Sequence, residues 1–160
     1  MKELVHKKII NLILSFSIIA IIFAFYVEIV LGHKPCNLCL LERIPYMFVI
    51  ILITILLFFK SLEKITFGLM GLTFLIATLL SLYHVGIEQG IIQESAVCNS
   101  SSGLDIINKE DLLKDLSNER ISCKIVTFTV FGLSLATINA FVSLVISFIT
   151  FKIFLSYEKK

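Results

Sequence analysis

The chain has 160 residues, 58% of them hydrophobic and 16% charged, with a mean hydropathy of +0.98, far above that of a soluble globular domain. One short chain of this composition holds a single bundle of membrane spans and no separate soluble domain, so residues 1–160 are read as one integral membrane domain. A net charge of only +2, with no basic patch interleaved with aromatics, argues against a nucleic-acid-binding class.

Ile9 to Leu31 is apolar apart from Asn11, a few small residues, Tyr26 and Glu28. About 20 such residues cross the hydrocarbon, so this is span one. It is longer than a signal-peptide core and ends at Gly32-His33-Lys34 without a small-residue cleavage site, which favours a retained helix. Residues 32–39 form a short polar connection containing Pro35, Cys36 and Cys39. Span two is expected over Leu40 to Phe59, with Glu42 and Arg43 at its mouth and Pro45 tolerated in its first turn. A turn at Lys60 to Lys64 leads into span three, Ile65 to Gly86, with Tyr83-His84 near its end.

From Ile87 to Lys124 the composition turns polar and acidic, marking one long extramembrane loop. Within it, Asn108 to Leu116 reads as a short amphipathic helix, capped by Asn108 and carrying Leu112, Leu113 and Leu116 on one side. Ile125 to Phe131 is expected to lie along the interface, and span four to run from about Leu133 to Leu155. The expected fold is therefore an all-α bundle of four transmembrane helices, with two extracytoplasmic loops.

Lysine and arginine near the span ends set orientation. With four spans the termini share a side, together with Lys2, Lys7, Lys8, Lys60, Lys64, Lys152, Lys159 and Lys160, and that side is read as cytoplasmic. All four cysteines then lie in the outer loops, where disulfides persist.

Cys36 and Cys39 form a Cys-x-x-Cys pair, and Arg43 follows four residues after the second cysteine. If this stretch is helical, positions 36, 39 and 43 share a face, and both the helix N-terminus and the guanidinium favour a thiolate at Cys39. Such a pair closes almost no loop and stabilises little, so its spacing points to redox chemistry. Cys98 and Cys123 enclose 24 residues, and taken alone their bridge reads as a structural staple. A zinc site of four cysteines is disfavoured, because Cys98 and Cys123 lack the short spacing of structural ligand pairs, and no metal is expected. Covalent haem attachment would need histidine at position 40, which is leucine.

The Pro-Cys-x-x-Cys-x-x-x-Arg motif at residues 35–43, the four spans, the cysteine pair in the long second outer loop, and Phe131-Gly132-Leu133-Ser134-Leu135 beyond it together resemble the DsbB family. These are quinone-dependent oxidases of the bacterial inner membrane that drive disulfide formation. The resemblance covers nearly the whole chain. It implies that Cys98 forms the mixed disulfide with a reduced, periplasmic, thioredoxin-like partner of DsbA type. Cys123 would leave and then engage Cys36, and Cys39, beside Arg43, would be the thiolate in charge-transfer contact with a bound quinone, ubiquinone or menaquinone. It also implies a place for His84 near the quinone. DsbA-type proteins sit near about −120 mV, more oxidising than thiol buffers, so the electron acceptor must be stronger than a thiol.

Three further residues carry expectations. Glu28, where the family resemblance leads one to expect glutamine, should face the bundle or the headgroups, because an acid facing lipid is costly. Glu42 is expected to remain solvated, and Asn139 to join helices within the bundle. Tryptophan is absent, and Phe128 is the nearest aromatic to the place where relatives often carry an indole. Two other readings stay open: a structural four-span protein whose cysteines only staple its loops, and a paralogous oxidase with one dedicated partner.

Overall fold

Four apolar runs become four helices long and apolar enough to cross a membrane, spanning Val5–Ile29, Asn37–Phe58, Glu63–Glu88 and Leu135–Tyr157. They are seen in a computed structural model that describes residues 2–94, 98, 122–126 and 128–158. The expected amphipathic helix at Asn108 to Leu116 lies outside these described residues. The protein is a multi-pass, all-α membrane bundle.

Helix α1 covers Lys2–Ile29. The second span begins earlier than expected and is divided into α2, Asn37–Leu41, and α3, Arg43–Phe58. The break at Glu42 has a local cause in Pro45. A proline there has no N–H to give the Leu41 carbonyl four residues back, and its ring crowds that carbonyl. A 3₁₀ turn at Lys60–Leu62 leads into α4, Glu63–Glu88, and α5 covers Leu135–Glu158.

Helix α4 ends at Gly90, whose φ of +73° is the left-handed conformation glycine adopts without strain. The chain then folds back, so that the Ile91 and Ile92 N–H groups both donate to the Gly86 carbonyl. Gly86 permits this approach: a Cβ there would lie 2.6 Å from the Ile92 side chain.

Residues 125–134 depart from the expected interfacial stretch. Thr129–Val130 (β1) pairs antiparallel with Leu133–Ser134 (β2), so α5 starts at Leu135 and the fourth span two residues later than expected. The two linking residues, Phe131 and Gly132, both have positive φ, 53° and 81°, the hairpin geometry that matches strand twist.

Packing runs from α1 to α3, from α3 to α4, and most extensively from α4 to α5. Small residues allow that last approach. Gly71 of α4 sits under Thr150 and Phe151, and its carbonyl accepts a hydrogen bond from Ser147 at 2.9 Å. One core cluster, including Ile10, Val49, Ile53, Phe67, Met70 and Phe74, fills the middle of the bundle. Near the chain termini His6 also links α1 to α5 and α4, meeting Tyr157 at 2.8 Å and Glu63 at 3.3 Å.

Candidate functional site

The cysteines gather at the end of the bundle away from the termini. Cys36 is the N-cap of α2 in extended conformation, and its sulfur accepts the backbone N–H of Cys39 at 3.2 Å. The sulfurs of Cys36 and Cys39 lie 2.8 Å apart as free thiols. The donor end of the helix therefore serves Cys36, one residue outside the span, where the sequence alone pointed to Cys39. Three contacts draw the Cys36 thiol down to about 5 against the opposing effect of burial: chiefly the Cys39 thiol, then His84 and the Cys39 backbone.

Cys98 and Cys123 are joined in a disulfide with 5.6 Å between Cα atoms. Both are buried, and they share one cluster with Cys36, Leu38 and Ile87. Glu94 closes the neck of the loop by accepting hydrogen bonds from the Ser122 hydroxyl and, at 3.0 Å, from the Lys124 N–H. The two cysteine pairs, 59 residues apart in sequence from Cys39 to Cys98, thus meet in a single buried patch.

His84 enters this patch from α4. It is 3% exposed, with Nε2 at 3.5 Å from the Cys36 sulfur and Nδ1 at 2.9 Å from Glu42 Oε1. Glu42 is therefore not solvated: it sits at the kink between α2 and α3, turned into the bundle and 8% exposed. Its second oxygen accepts a hydrogen bond from Asn139 Nδ2 at 2.9 Å. Asn139 also donates to Ser81 at 2.8 Å and accepts from the Tyr46 hydroxyl and, at 3.2 Å, from Ser143. Helices α3, α4 and α5 are thereby joined through one buried polar network, whose members satisfy one another in a place where each alone would be costly.

Arg43 takes a different direction. The kink at Glu42 turns it toward α1, where Nη1 meets Glu28 at 2.6 Å and the guanidinium lies 5.0 Å from the centre of the Phe25 ring. The acid at position 28 thus faces a cation and not lipid.

Beside these groups lies a cavity of about 400 Å³, within the range of small-molecule sites. Its walls are largely apolar, with Phe16, Ala20 and Phe23 from α1 facing Ala136 and Val142 from α5, and Cys36, Cys39, Arg43 and His84 reach its polar end. Phe128, just before the hairpin, also lines it, packed against Phe23 and His33 with ring centres 6.3 and 5.5 Å away. Cys36, Cys39 and His84 are also close enough to hold a metal ion together.

Sequence reasoning singled out Cys36, Cys39, Cys98, Cys123, Arg43 and His84, and all but the disulfide pair line the cavity. It missed Glu42, and it gave Asn139 no place at the site. An acid three residues before a proline, at the mouth of a helix, is the signal that could have drawn attention to Glu42.

A family model described as "Disulfide bond formation protein DsbB" matches residues 6–153. An uncharacterised protein of Rickettsia prowazekii (strain Madrid E) is 34% identical over 137 residues, covering 82% of this chain and 78% of its own. No solved structure matches.

Proposed function

From the premise that this chain belongs to the DsbB family of disulfide bond formation proteins, we propose that it reoxidises a periplasmic DsbA-like dithiol protein and passes the two electrons to a membrane quinone. The observation that carries this reading is the meeting of both cysteine pairs in one buried cluster at the polar end of an apolar cavity.

The electron path is a series of exchanges. A partner thiolate attacks the Cys98 sulfur and Cys123 leaves as a thiolate. When the Cys36–Cys39 pair is oxidised, Cys123 attacks Cys36 and releases Cys39 as a thiolate at the cavity. The second partner thiol then displaces Cys98, and Cys98 in turn displaces Cys36 from Cys123. The partner leaves with its disulfide, Cys98–Cys123 is restored, and Cys36 and Cys39 hold the electron pair. Each step breaks one sulfur–sulfur bond and forms one.

The cavity fits a quinone in kind: apolar walls for a ring and isoprenoid tail, and a cation and an imidazole where carbonyl oxygens would lie. Bound there, ubiquinone or menaquinone supplies a two-electron acceptor that takes up two protons. Arg43 would orient the acceptor, and His84, held by Glu42 beside Cys36, would hold or move a proton at Nε2. Helices α1 and α5 are tied by His6 and Tyr157 at the far end, while the cavity lies between them at the cysteine end. That arrangement suits entry from the bilayer. The distribution of basic residues supports cytoplasmic termini and periplasmic cysteine loops in a bacterial inner membrane.

The test is the purified protein supplied with a quinone and a reduced DsbA-like dithiol. Quinol formation matched one for one by partner oxidation is expected, and both should stop in Cys39→Ser protein. Continued turnover by that variant would overturn the reading.

A further inference from the structure

The reduced pair and His84 form a donor set of a second kind. The two sulfurs and one imidazole nitrogen lie within 4.8 Å of one another, in a buried patch that opens to a cavity. We propose that, in the dithiol form, Cys36, Cys39 and His84 bind a thiophilic divalent cation, Zn²⁺ foremost, and that the bound ion holds the pair out of thiol–disulfide exchange. This goes beyond the oxidase reading and needs no quinone and no partner.

The spacing fits. With zinc–sulfur bonds of about 2.3 Å and zinc–nitrogen bonds of about 2.0–2.1 Å, a tetrahedral ion sets sulfur and nitrogen about 3.5 Å apart. Cys36 Sγ and His84 Nε2 are 3.5 Å apart. Two sulfurs on the same ion stand about 3.8 Å apart, against 2.8 Å between Cys36 and Cys39. A modest side-chain rotation of Cys39, the less buried of the two, opens that gap.

The ring is also prepared for a metal. Glu42 Oε1 at 2.9 Å from Nδ1 holds a ring proton there, so that Nε2, once it gives up the proton it shares with Cys36, turns its lone pair to the sulfurs. Asn139 fixes the other oxygen of Glu42, so the carboxylate that orients the histidine is itself oriented. A fourth donor stands nearby, since Glu88 Oε1 is 3.8 Å from Nε2.

Binding requires no redox step. Cys36, Cys39 and His84 Nε2 give any proton they carry to solvent as they enter the coordination shell, and Zn²⁺ neither accepts nor donates electrons. A coordinated thiolate has its nucleophilic lone pair on the metal, so exchange stops until the ion leaves. The oxidised pair lacks both thiolate donors and should not bind. The ligands differ from the four-cysteine set that the spacing argued against, because the third donor comes from α4, 45 residues beyond Cys39.

The experiment uses the full chain in detergent with Cys98→Ala and Cys123→Ala, so that Cys36 and Cys39 are the only thiols. Reduced with a phosphine and desalted without oxygen, it is titrated with Co²⁺ and then with Zn²⁺. Expected are one Co²⁺ per chain, a thiolate-to-cobalt absorption with the visible bands of a tetrahedral site, and their loss on adding Zn²⁺. Zn²⁺ should also slow alkylation of both thiols at least tenfold, and a chelator should restore it. His84→Gln should weaken binding at least tenfold, and Glu42→Gln about 10- to 100-fold. Absence of stoichiometric binding by the reduced protein, equal binding after oxidation to the disulfide, or an octahedral cobalt spectrum would each overturn the proposal. So would a folded His84→Gln protein of unchanged affinity. If that variant does not fold, the contrast between reduced and oxidised protein decides. None of these readouts involves turnover, so failure of the oxidase reading would show separately.

Discussion

Glu42, at the break between α2 and α3, faces His84 of α4 with Oε1 2.9 Å from Nδ1, and both are nearly excluded from solvent. Replacing Glu42 with alanine leaves the His84 and Asn139 donors without their partner. An unsatisfied buried donor costs about 1–3 kcal/mol, so Glu42→Ala should lower the thermal midpoint in detergent by several degrees. Glu42→Gln should retain most of that stability while slowing quinone reduction, because an amide can also donate to Nδ1 and no longer fixes the ring proton there. Parallel melting and turnover assays check both outcomes.

The Cys36 thiol, held down to about 5, should be reactive over an unusual range. In the reduced protein its alkylation rate should be nearly constant from pH 6 to pH 8, and fall as pH drops through about 5, where the sulfur takes up a proton. An ordinary thiol would instead keep gaining rate toward about pH 8.5. The groups around it are Cys39, His84 and, through the ring, Glu42 and Glu88. Cys39→Ala removes the largest of the lowering contacts and should move the profile to higher pH. Peptide-resolved mass spectrometry separates the two cysteines.

Arg43 Nη1 donates to Glu28 at 2.6 Å, so in the proposed oxidase Glu28 would compete with a quinone oxygen for the guanidinium. Glu28→Gln should therefore lower the apparent KM for quinone, by up to tenfold if about 1.4 kcal/mol of ion pairing is released. Arg43→Met should raise it by at least as much, with partner binding unchanged. A quinone titration at saturating reduced partner distinguishes these effects from loss of protein.

Gly71 sets the separation of α4 and α5. A Cβ there would stand 2.7 Å from the Phe151 ring, so Gly71→Val forces the helices apart and strains the Ser147 hydrogen bond to the Gly71 carbonyl. A loss of about 1–3 kcal/mol follows from overpacking of this kind. It should appear as a lower melting temperature, while Gly132→Ala, where no atom lies within 4 Å, should disturb only the positive φ of the hairpin turn.

The spans were legible because runs of about 20 apolar residues leave little choice in a bilayer, and so was the placement of all four cysteines at one end of the bundle. Glu42 was not. An acid at a helix mouth ordinarily points to water, and what turns it inward is a kink at Pro45 together with partners 42 and 97 residues away. Arg43 lines the same cavity as Cys39, but its ion pair is with Glu28 of α1, a partner the local spacing did not reveal. The hairpin at Thr129–Ser134 was obscured by Phe131, since a bulky aromatic with positive φ is uncommon and its apolar run resembles a span. Only Gly132 hinted at the turn.

Cys36 caps α2, its sulfur accepting the Cys39 N–H, and in the proposed electron path it is also a carrier. A thiolate is a strong acceptor for that hydrogen bond, and a disulfide sulfur, having lost its charge, is a weak one. Helix initiation at Asn37 is therefore tighter in the electron-loaded state than in the empty one. The fold itself leans toward the dithiol, which in the proposed path would make this pair a better oxidant toward Cys123 than an uncapped Cys-x-x-Cys, by the same preference for the reduced form that makes strong disulfide oxidants strong.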